Sequence, residues 1–587
     1  MKIRSLALFL VLAAKTYPTE ATASADVFFG KYQTELSTDK RPEASCLRDE
    51  LEVFSLEKIF QEELQSLLSS AAASKKKAFA SAVPVKGYKP TKKPLRQIDS
   101  IVEWQWDKEG SDTIANNVKR FKSIEYVDFK IFDYEISSAH LLLRARLDIR
   151  GLSKESRKVQ DRMKILFILN KKDGEWAIAS SKIISGATLE QTKSPAFVDV
   201  SKSTKPGTAV VDHAERAFIR DGAKLRSDLS LAIDRSLSGS AERLVLAEDG
   251  VLYSRPKAEG DAAKRQEAIF SDVQFQYGMS LIGADIDNDG LFDFALTNTN
   301  LSEFARVNWS CARVHKKRVF LKNDKGLTIA QSKSKDRTAK LIEFDKKRFD
   351  DPGESLGGAT FIDYNNDGWV DLYVVNGLWS SDRSKPDSAS LFAIATFLSG
   401  TSIGQNISAS DSLKYFGFLK NQANYGGLAG FQRNRLYRNN RDGTFTDVAY
   451  LEGVDSEADG YGVMQFDYDS DGAVDLVLTN AATVSPQSAY PRVQVFKNAT
   501  TRKSVGLTFE SGEHSLEGLT VRASVGSWQQ VAVLPTAAEA GKRPVIHFGL
   551  GVHDQIDLVE VFWPSGKKEG LRALKSGYHH LVEGTKK

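Results

Sequence analysis

Three short acidic loops constrain this 587-residue chain more than any other feature. They read Asp285-Ile-Asp287-Asn-Asp289-Gly290-Leu-Phe-Asp293, Asp363-Tyr-Asn365-Asn-Asp367-Gly368-Trp-Val-Asp371 and Asp467-Tyr-Asp469-Ser-Asp471-Gly472-Ala-Val-Asp475. Alternate acidic or amide side chains in a tight loop point several oxygens inward, which suits a hard cation taking about six to eight oxygens at roughly 2.3–2.6 Å. The glycine at the sixth position permits the sharp reversal, and the seventh residue can offer its backbone carbonyl. Without a cation, three or four carboxylates so close together would repel one another. The expected ion is Ca2+. Its expected ligands are Asp285, Asp287, Asp289, Leu291 and Asp293 in the first loop, then Asp363, Asn365, Asp367, Trp369 and Asp371, then Asp467, Asp469, Asp471, Ala473 and Asp475. An EF-hand would place a bidentate Glu at the twelfth position, where this chain has Leu296, Val374 and Leu478 inside apolar runs, so these are not EF-hands. One such loop alone would read as an ordinary Asp/Asn/Gly turn; three copies of one pattern favour the ion.

Each loop leads into a strand-like run: Phe294-Ala-Leu, Leu372-Tyr-Val-Val and Leu476-Val-Leu. The loops are spaced 78 and 104 residues apart, each about two β-propeller blades of roughly 40–50 residues. Residues 201–510 therefore read as a propeller, with 378–434 as an insertion. Upstream, Leu56, Ile59, Phe60, Leu64, Leu67 and Leu68 lie at helical spacing behind Ser55 as a cap. After a Lys/Pro/Ser-containing linker come strand-like runs at 101–106, 124–136, 140–149, 164–170 and 176–178. One helix followed by long strands predicts an α+β domain over 26–200.

The first 25 residues place Lys2 and Arg4 before the apolar run Leu6 to Ala14 and end in Ala23-Ser24-Ala25, the layout of a cleavable secretory signal. The expected setting is secreted, extracellular or periplasmic. No window reaches the roughly 18 apolar residues of a membrane helix. Eighty Lys+Arg against 76 Asp+Glu leave a net charge of +4, too small over this length to imply nucleic acid as a partner. Cys46 and Cys311 exclude a disulfide framework and a cysteine zinc site, and leave open whether the two pair.

The acidic loops look like the FG-GAP or VCBS repeats of integrin-type propellers. The segment Leu436-Tyr-Arg-Asn-Asn-Arg-Asp-Gly443-Thr-Phe445-Thr-Asp resembles a blade phrase of the cartilage acidic protein family. Phe548-Gly-Leu-Gly551, Ile556-Asp-Leu-Val-Glu-Val-Phe562 and Trp563-Pro564-Ser565-Gly566 resemble the ASPIC/UnbV domain that follows the propeller in that family, here over 511–587. Residues 26–200 loosely resemble the cone-shaped NTF2-like fold. The fold class implied is mainly β: an integrin-like propeller, an N-terminal α+β unit and a small C-terminal β domain. The resemblance implies a secreted, calcium-binding scaffold for adhesion or for contact with a protein or glycan, and it brings no catalytic residues with it.

The enzyme alternative places a pocket in the N-terminal cone or the propeller channel. Gly400-Thr-Ser402-Ile-Gly404 fits G-x-S-x-G, but the polar, turn-like residues behind Ser402 lack the helix that a nucleophile elbow needs. The eight His residues form no H-E-x-x-H pair, and no Walker loop occurs. A binding protein rather than an enzyme is the expectation.

Overall fold

A computed structural model of the chain describes residues 89–107, 118–172, 174–201, 278–290, 293–298, 358–377, 431–480, 493–512, 515–534 and 544–585, with shorter pieces elsewhere from residue 48 onward. The signal-like segment, Leu291, most of the 378–434 insertion with Ser402, and both cysteines lie outside the described residues. What is described is mainly β, arranged in several sheets.

The first sheet has seven antiparallel strands. Its body is a meander of Phe121–Ile136, His140–Ser153, Lys158–Lys172 and Glu175–Gln191, after which the order continues through Ile101–Asp107. These strands exceed the lengths read from the sequence because apolar and polar residues alternate well past the obvious apolar runs. Bulges near Ile131 and Ile168 bend them. Described residues between 48 and 64 are helical. Helical geometry is described already at Arg48 and Val53, ahead of Ser55, the expected cap, which lies outside the described residues. Val53, fully buried, lies on the same core as Leu56, Phe60 and Leu64. Phe60 packs its ring 5.0 Å from that of Phe129 and 5.3 Å from that of Phe167.

Phe121–Ile136 is an edge strand of that sheet, and the helix covers it. Gln61 donates through Nε2 to the Val127 carbonyl at 2.8 Å and accepts from the Phe129 N–H at 2.6 Å. Glu57 accepts the Ile131 N–H at 2.5 Å. Two polar helix side chains thus pair edge groups that would otherwise be buried unpaired.

Among the described residues, four antiparallel sheets of three or four strands follow, together with a two-stranded one pairing Trp379–Ser380 with Gly427–Leu428. Ser230–Ile233, Glu242–Leu246 and Leu252–Arg255 make the first, and Gly278–Ala284, Asp293–Asn298, Leu327–Ser332 and Ala339–Ile342 the second. Ala359–Ile362, Asp371–Val374, Arg435–Asn439 and Phe445–Asp447 make the third. The fourth takes Gly460–Phe466, Asp475–Asn480 and Val493–Asn498, and its outer strand is Phe197–Asp199, from before the whole series. The first strands of successive sheets lie side by side. Each acidic loop joins the first and second strands of its sheet, so all three emerge at equivalent places.

The C-terminal region holds two further sheets. Ser504–Glu510 pairs with Ile546–Gly549 and, in parallel, with Gly577–Val582, while Thr520–Val525, Trp528–Val533, Gln555–Phe562 and Lys568–Lys575 form the other. Trp563 is fully buried between them, edge-on to Phe509 and donating its indole N–H to Glu569 at 3.0 Å. It serves the core, as the alternation of Ile556 to Trp563 implies.

Charged groups link the first sheet to residues 433–457. Arg150, buried, donates to Asp148 at 2.8 Å and to Asp455 at 3.0 Å, and lies over the rings of Tyr126 and Tyr450. Arg162 reaches Asp447 at 3.0 Å, and Lys158 donates to the Tyr450 carbonyl at 2.7 Å. Arg150 and its neighbours hold the Asp148 carboxyl below the usual carboxylate range in spite of burial, which alone would raise it.

Candidate metal centres on three linked loops

The three loops share one backbone shape. The fourth residue (Asn288, Asn366, Ser470) has φ of 55°, 51° and 61°, and the sixth (Gly290, Gly368, Gly472) has φ of 82°, 86° and 87°. The first Asp shapes the turn. Asp285 accepts the N–H groups of Asp289 and Gly290 at 3.1 and 3.0 Å, Asp363 those of Asp367 and Gly368 at 2.9 and 2.8 Å, and Asp467 those of Asp471 and Gly472 at 3.1 and 2.7 Å. The ninth Asp closes the loop: Asp293 accepts the Ile286 N–H and Asp475 the Tyr468 N–H, each at 3.0 Å. A carboxylate has about four acceptor positions, so these bonds leave lone pairs for a cation. At the seventh position, the described N–H groups of Trp369 and Ala473 donate to Asp367 and Asp471 at 2.9 and 3.0 Å.

The loops are also tied to one another. Asn288 donates to the Gly368 carbonyl at 2.8 Å, and Asn366 to the Gly472 carbonyl at 3.0 Å, each fourth residue reaching the sixth of the next loop. A second tie comes from the third strands. The side chain of Asn439 donates to the Ile286 and Val370 carbonyls at 2.8 and 3.1 Å, while its N–H goes to Asp371 at 2.7 Å. Asn498 repeats this on the Tyr364 and Val474 carbonyls at 2.7 and 2.9 Å, with its N–H on Asp475 at 2.7 Å. None of these four asparagines was identified from ligand spacing. The available signal was the shared ending of Arg435–Asn439 and Val493–Asn498, both of which close on Asn.

The C-terminal sheets sit across this row of loops. The Val531 N–H donates to Asp285 at 3.1 Å, the Gly551 N–H to the Asn366 carbonyl at 2.8 Å, and the Tyr578 hydroxyl to Asp467 at 2.6 Å. Ser504 donates to the Gly472 carbonyl at 2.6 Å.

The three loops differ in charge. In the first, ligand oxygens of Asp285, Asp287 and Asp289 lie within 4.8 Å of one another. Burial, then repulsion by Asp289, pushes the Asp285 carboxyl up to about 8. In the third, Asp467, Asp469 and Asp475 converge within the same limit, and burial pushes Asp475 up to about 6. Lys497 pairs there with Asp469 and lies 3.4 Å from Asp471. Asp363, Asp367 and Asp371 form no comparable group among the described residues. Burial raises Asp363 and Asp371 well above the carboxylate range. Oxygen-only clusters of this kind fit a hard divalent cation better than a softer transition metal.

Residues 519–587 match the family described as ASPIC and UnbV. The chain is 25% identical to cartilage acidic protein 1 of Mus musculus over 229 residues, covering 37% of this chain and 35% of the relative. It is 25% identical to cartilage acidic protein 1 of Homo sapiens over 248 residues, covering 40% and 37%. The chain thus matches little more than a third of the length of these relatives. Among the described residues, no helix is long and apolar enough to cross a membrane.

Proposed function

We propose that the chain is an exported interaction scaffold in which the successive antiparallel sheets from 230 to 498 are blades of a β-propeller. Calcium at the loops 285–293 and 467–475 stabilises it, and its partner is a protein or glycan. The observation that carries this reading is the chain of asparagine ties between loops at equivalent places in successive sheets, crossed by one C-terminal unit. The strand Phe197–Asp199 completing the last sheet supports ring-like closure. The secretory-type N-terminus and the similarity to cartilage acidic protein 1 support an extracellular setting.

Asp285, Asp287 and Asp289, and Asp467, Asp469 and Asp475, would hold the ions, which would supply positive charge to carboxylates crowded together without chemistry. An ion bound only to the folded state stabilises it by about 1.4 kcal/mol per site at ten times its dissociation constant. The test is a thermal melt in calcium and in excess chelator. Calcium should raise the melting point, and Asp289→Ala and Asp469→Ala should each remove part of that rise while changing little in chelator. A wild-type melt indifferent to calcium would sink the metal reading. Affinity capture from extracellular material with and without chelator tests the scaffold reading, which fails if calcium does not affect what is retained.

A further inference from the structure

The loop 363–371 differs from the loop 467–475 in what faces its carboxylates. Asp367, whose side chain is only 2% exposed, receives the Arg441 guanidinium at 2.6 Å. At the third position, where the other loops have Asp, Asn365 directs Nδ2 to Asp367 at 3.1 Å and to Asp99 at 2.5 Å. The nitrogen held between two carboxylate oxygens must be a donor, and Asn365 Oδ1 accepts the Asp367 N–H at 3.3 Å, so position three turns its N–H toward the carboxylates and its oxygen toward the backbone. Asp99 comes from the hairpin tip between Arg96–Ile98 and Ile101–Asp107, and Arg502 pairs with it while donating to the Asn365 carbonyl at 3.3 Å.

We infer that Arg441 serves as a tethered cation in loop 363–371, taking the place that a divalent ion takes in the other two loops, so that the chain carries two ion-binding loops and one guanidinium-filled loop. This rests on the calcium reading of the other two loops for its count.

The hairpins explain why the third loop is spared. Arg441 lies two residues beyond Asn439, where its N–H donates to Asn439 Oδ1 at 2.9 Å. Two residues beyond Asn498 the same bond is made at 3.0 Å by Thr500, which carries no charge. Lys497 approaches the third loop instead, as a flexible ammonium on Asp469 and Asp471, both partly exposed. A multivalent ion can displace such a screened pair more readily than a planar guanidinium on a buried carboxylate.

Bound calcium is counted on the full chain by equilibrium dialysis at saturating free Ca2+. Wild type should hold two ions and Asp287→Asn/Asp469→Asn none; an ion kept by that double variant overturns the inference. Arg441→Ala/Asn365→Asp should hold one more ion than wild type, and an unchanged count in a variant with the wild-type circular dichroism overturns it as well. Should that variant fail to fold, the Asp287→Asn/Asp469→Asn count decides. Should wild type bind no calcium, the metal reading of the other loops falls, while an ion gained by Arg441→Ala/Asn365→Asp still upholds the role of Arg441.

Discussion

The side-chain amide of Asn366 donates to the Gly472 carbonyl, 106 residues further along the chain, at 3.0 Å, and to the Arg502 carbonyl at 2.9 Å. One fully buried residue thus joins the second acidic loop to the third and to the start of the C-terminal sheets. It does so from a left-handed backbone conformation, with φ of 51°.

Asn366→Ala should therefore carry two costs. Losing the two hydrogen bonds costs about 0.5–1.5 kcal/mol each, the Gly472 carbonyl keeping Ser504 as a donor, and a Cβ-bearing apolar residue at positive φ costs roughly 1–2 kcal/mol more. Asn366→Gly removes the second cost alone. Denaturant unfolding followed by tryptophan fluorescence should rank wild type above Asn366→Gly and Asn366→Gly above Asn366→Ala. Equal stability of wild type and Asn366→Gly would show that the tie contributes nothing.

Ligand spacing made the acidic loops visible because it is local: five positions within nine residues must satisfy one turn. Asn288 and Asn366 occupy the fourth position of that same pattern, yet their partners Gly368 and Gly472 lie in other loops. Nothing within nine residues marks them. The same holds for Arg441, whose partner Asp367 is 74 residues away, and for Arg150, whose pairing with Asp455 spans 305. The β character of 121–191 was legible from its alternation, whereas the longer helix was hidden because Val53 stands alone ahead of the denser stripe. The Asn365 substitution was legible as one fewer carboxylate; the guanidinium that accompanies it was not.

Lys497 neutralises the third loop at the expense of any ion there. Its partners Asp469 and Asp471 hold the Lys497 ammonium well above the ordinary lysine range by hydrogen bonding and charge. Lys497→Met removes the competing charge while keeping a long apolar stem. Calcium affinity at this loop, read by titration in an Asp287→Asn background that silences the first loop, should rise several-fold. A lower or unchanged affinity would mean that the ammonium does not compete.

His547 gives the contact between the C-terminal sheets and the third loop a pH dependence. Its Nε2 lies 3.3 Å from the Gly472 carbonyl, an acceptor, so the neutral ring carries its proton there. Burial pushes the ring down to about 4, against the opposing pull of the Gly472 carbonyl and Asp467. Because the folded value lies below the usual value near 6.5, the unfolded chain takes up a proton first as pH falls. The stabilisation is complete above about 6.5 and is lost between there and about 4, by up to about 3 kcal/mol. His547→Gln keeps a donor and cannot titrate. The wild-type melting point, minus that of His547→Gln, should fall as pH is lowered from 7 to 4.5 in chelator; a flat difference contradicts the assignment.

Gly549 tests whether the C-terminal sheets are seated on the loops or merely beside them. It ends the strand Ile546–Gly549 without a positive φ, so alanine there meets no backbone penalty of its own. A Cβ, however, would run into the Asp363 carboxylate and come within 2.6 Å of the Asn366 Cα. Backbone cannot retreat as the end of a flexible side chain can, so the C-terminal unit would have to lift from the second loop. Such overpacking costs about 1–3 kcal/mol, and the Gly551 N–H bond to the Asn366 carbonyl, 2.8 Å long, should be lost with it. Gly570 is the control, because a Cβ there meets nothing closer than 3.9 Å. Gly549→Ala should lower the melting point and increase amide hydrogen exchange at Asn366 and Gly551, whereas Gly570→Ala should leave exchange at both unchanged. Wild-type exchange at both residues in Gly549→Ala would mean that the close packing of this strand on the loop does not hold the C-terminal unit in place.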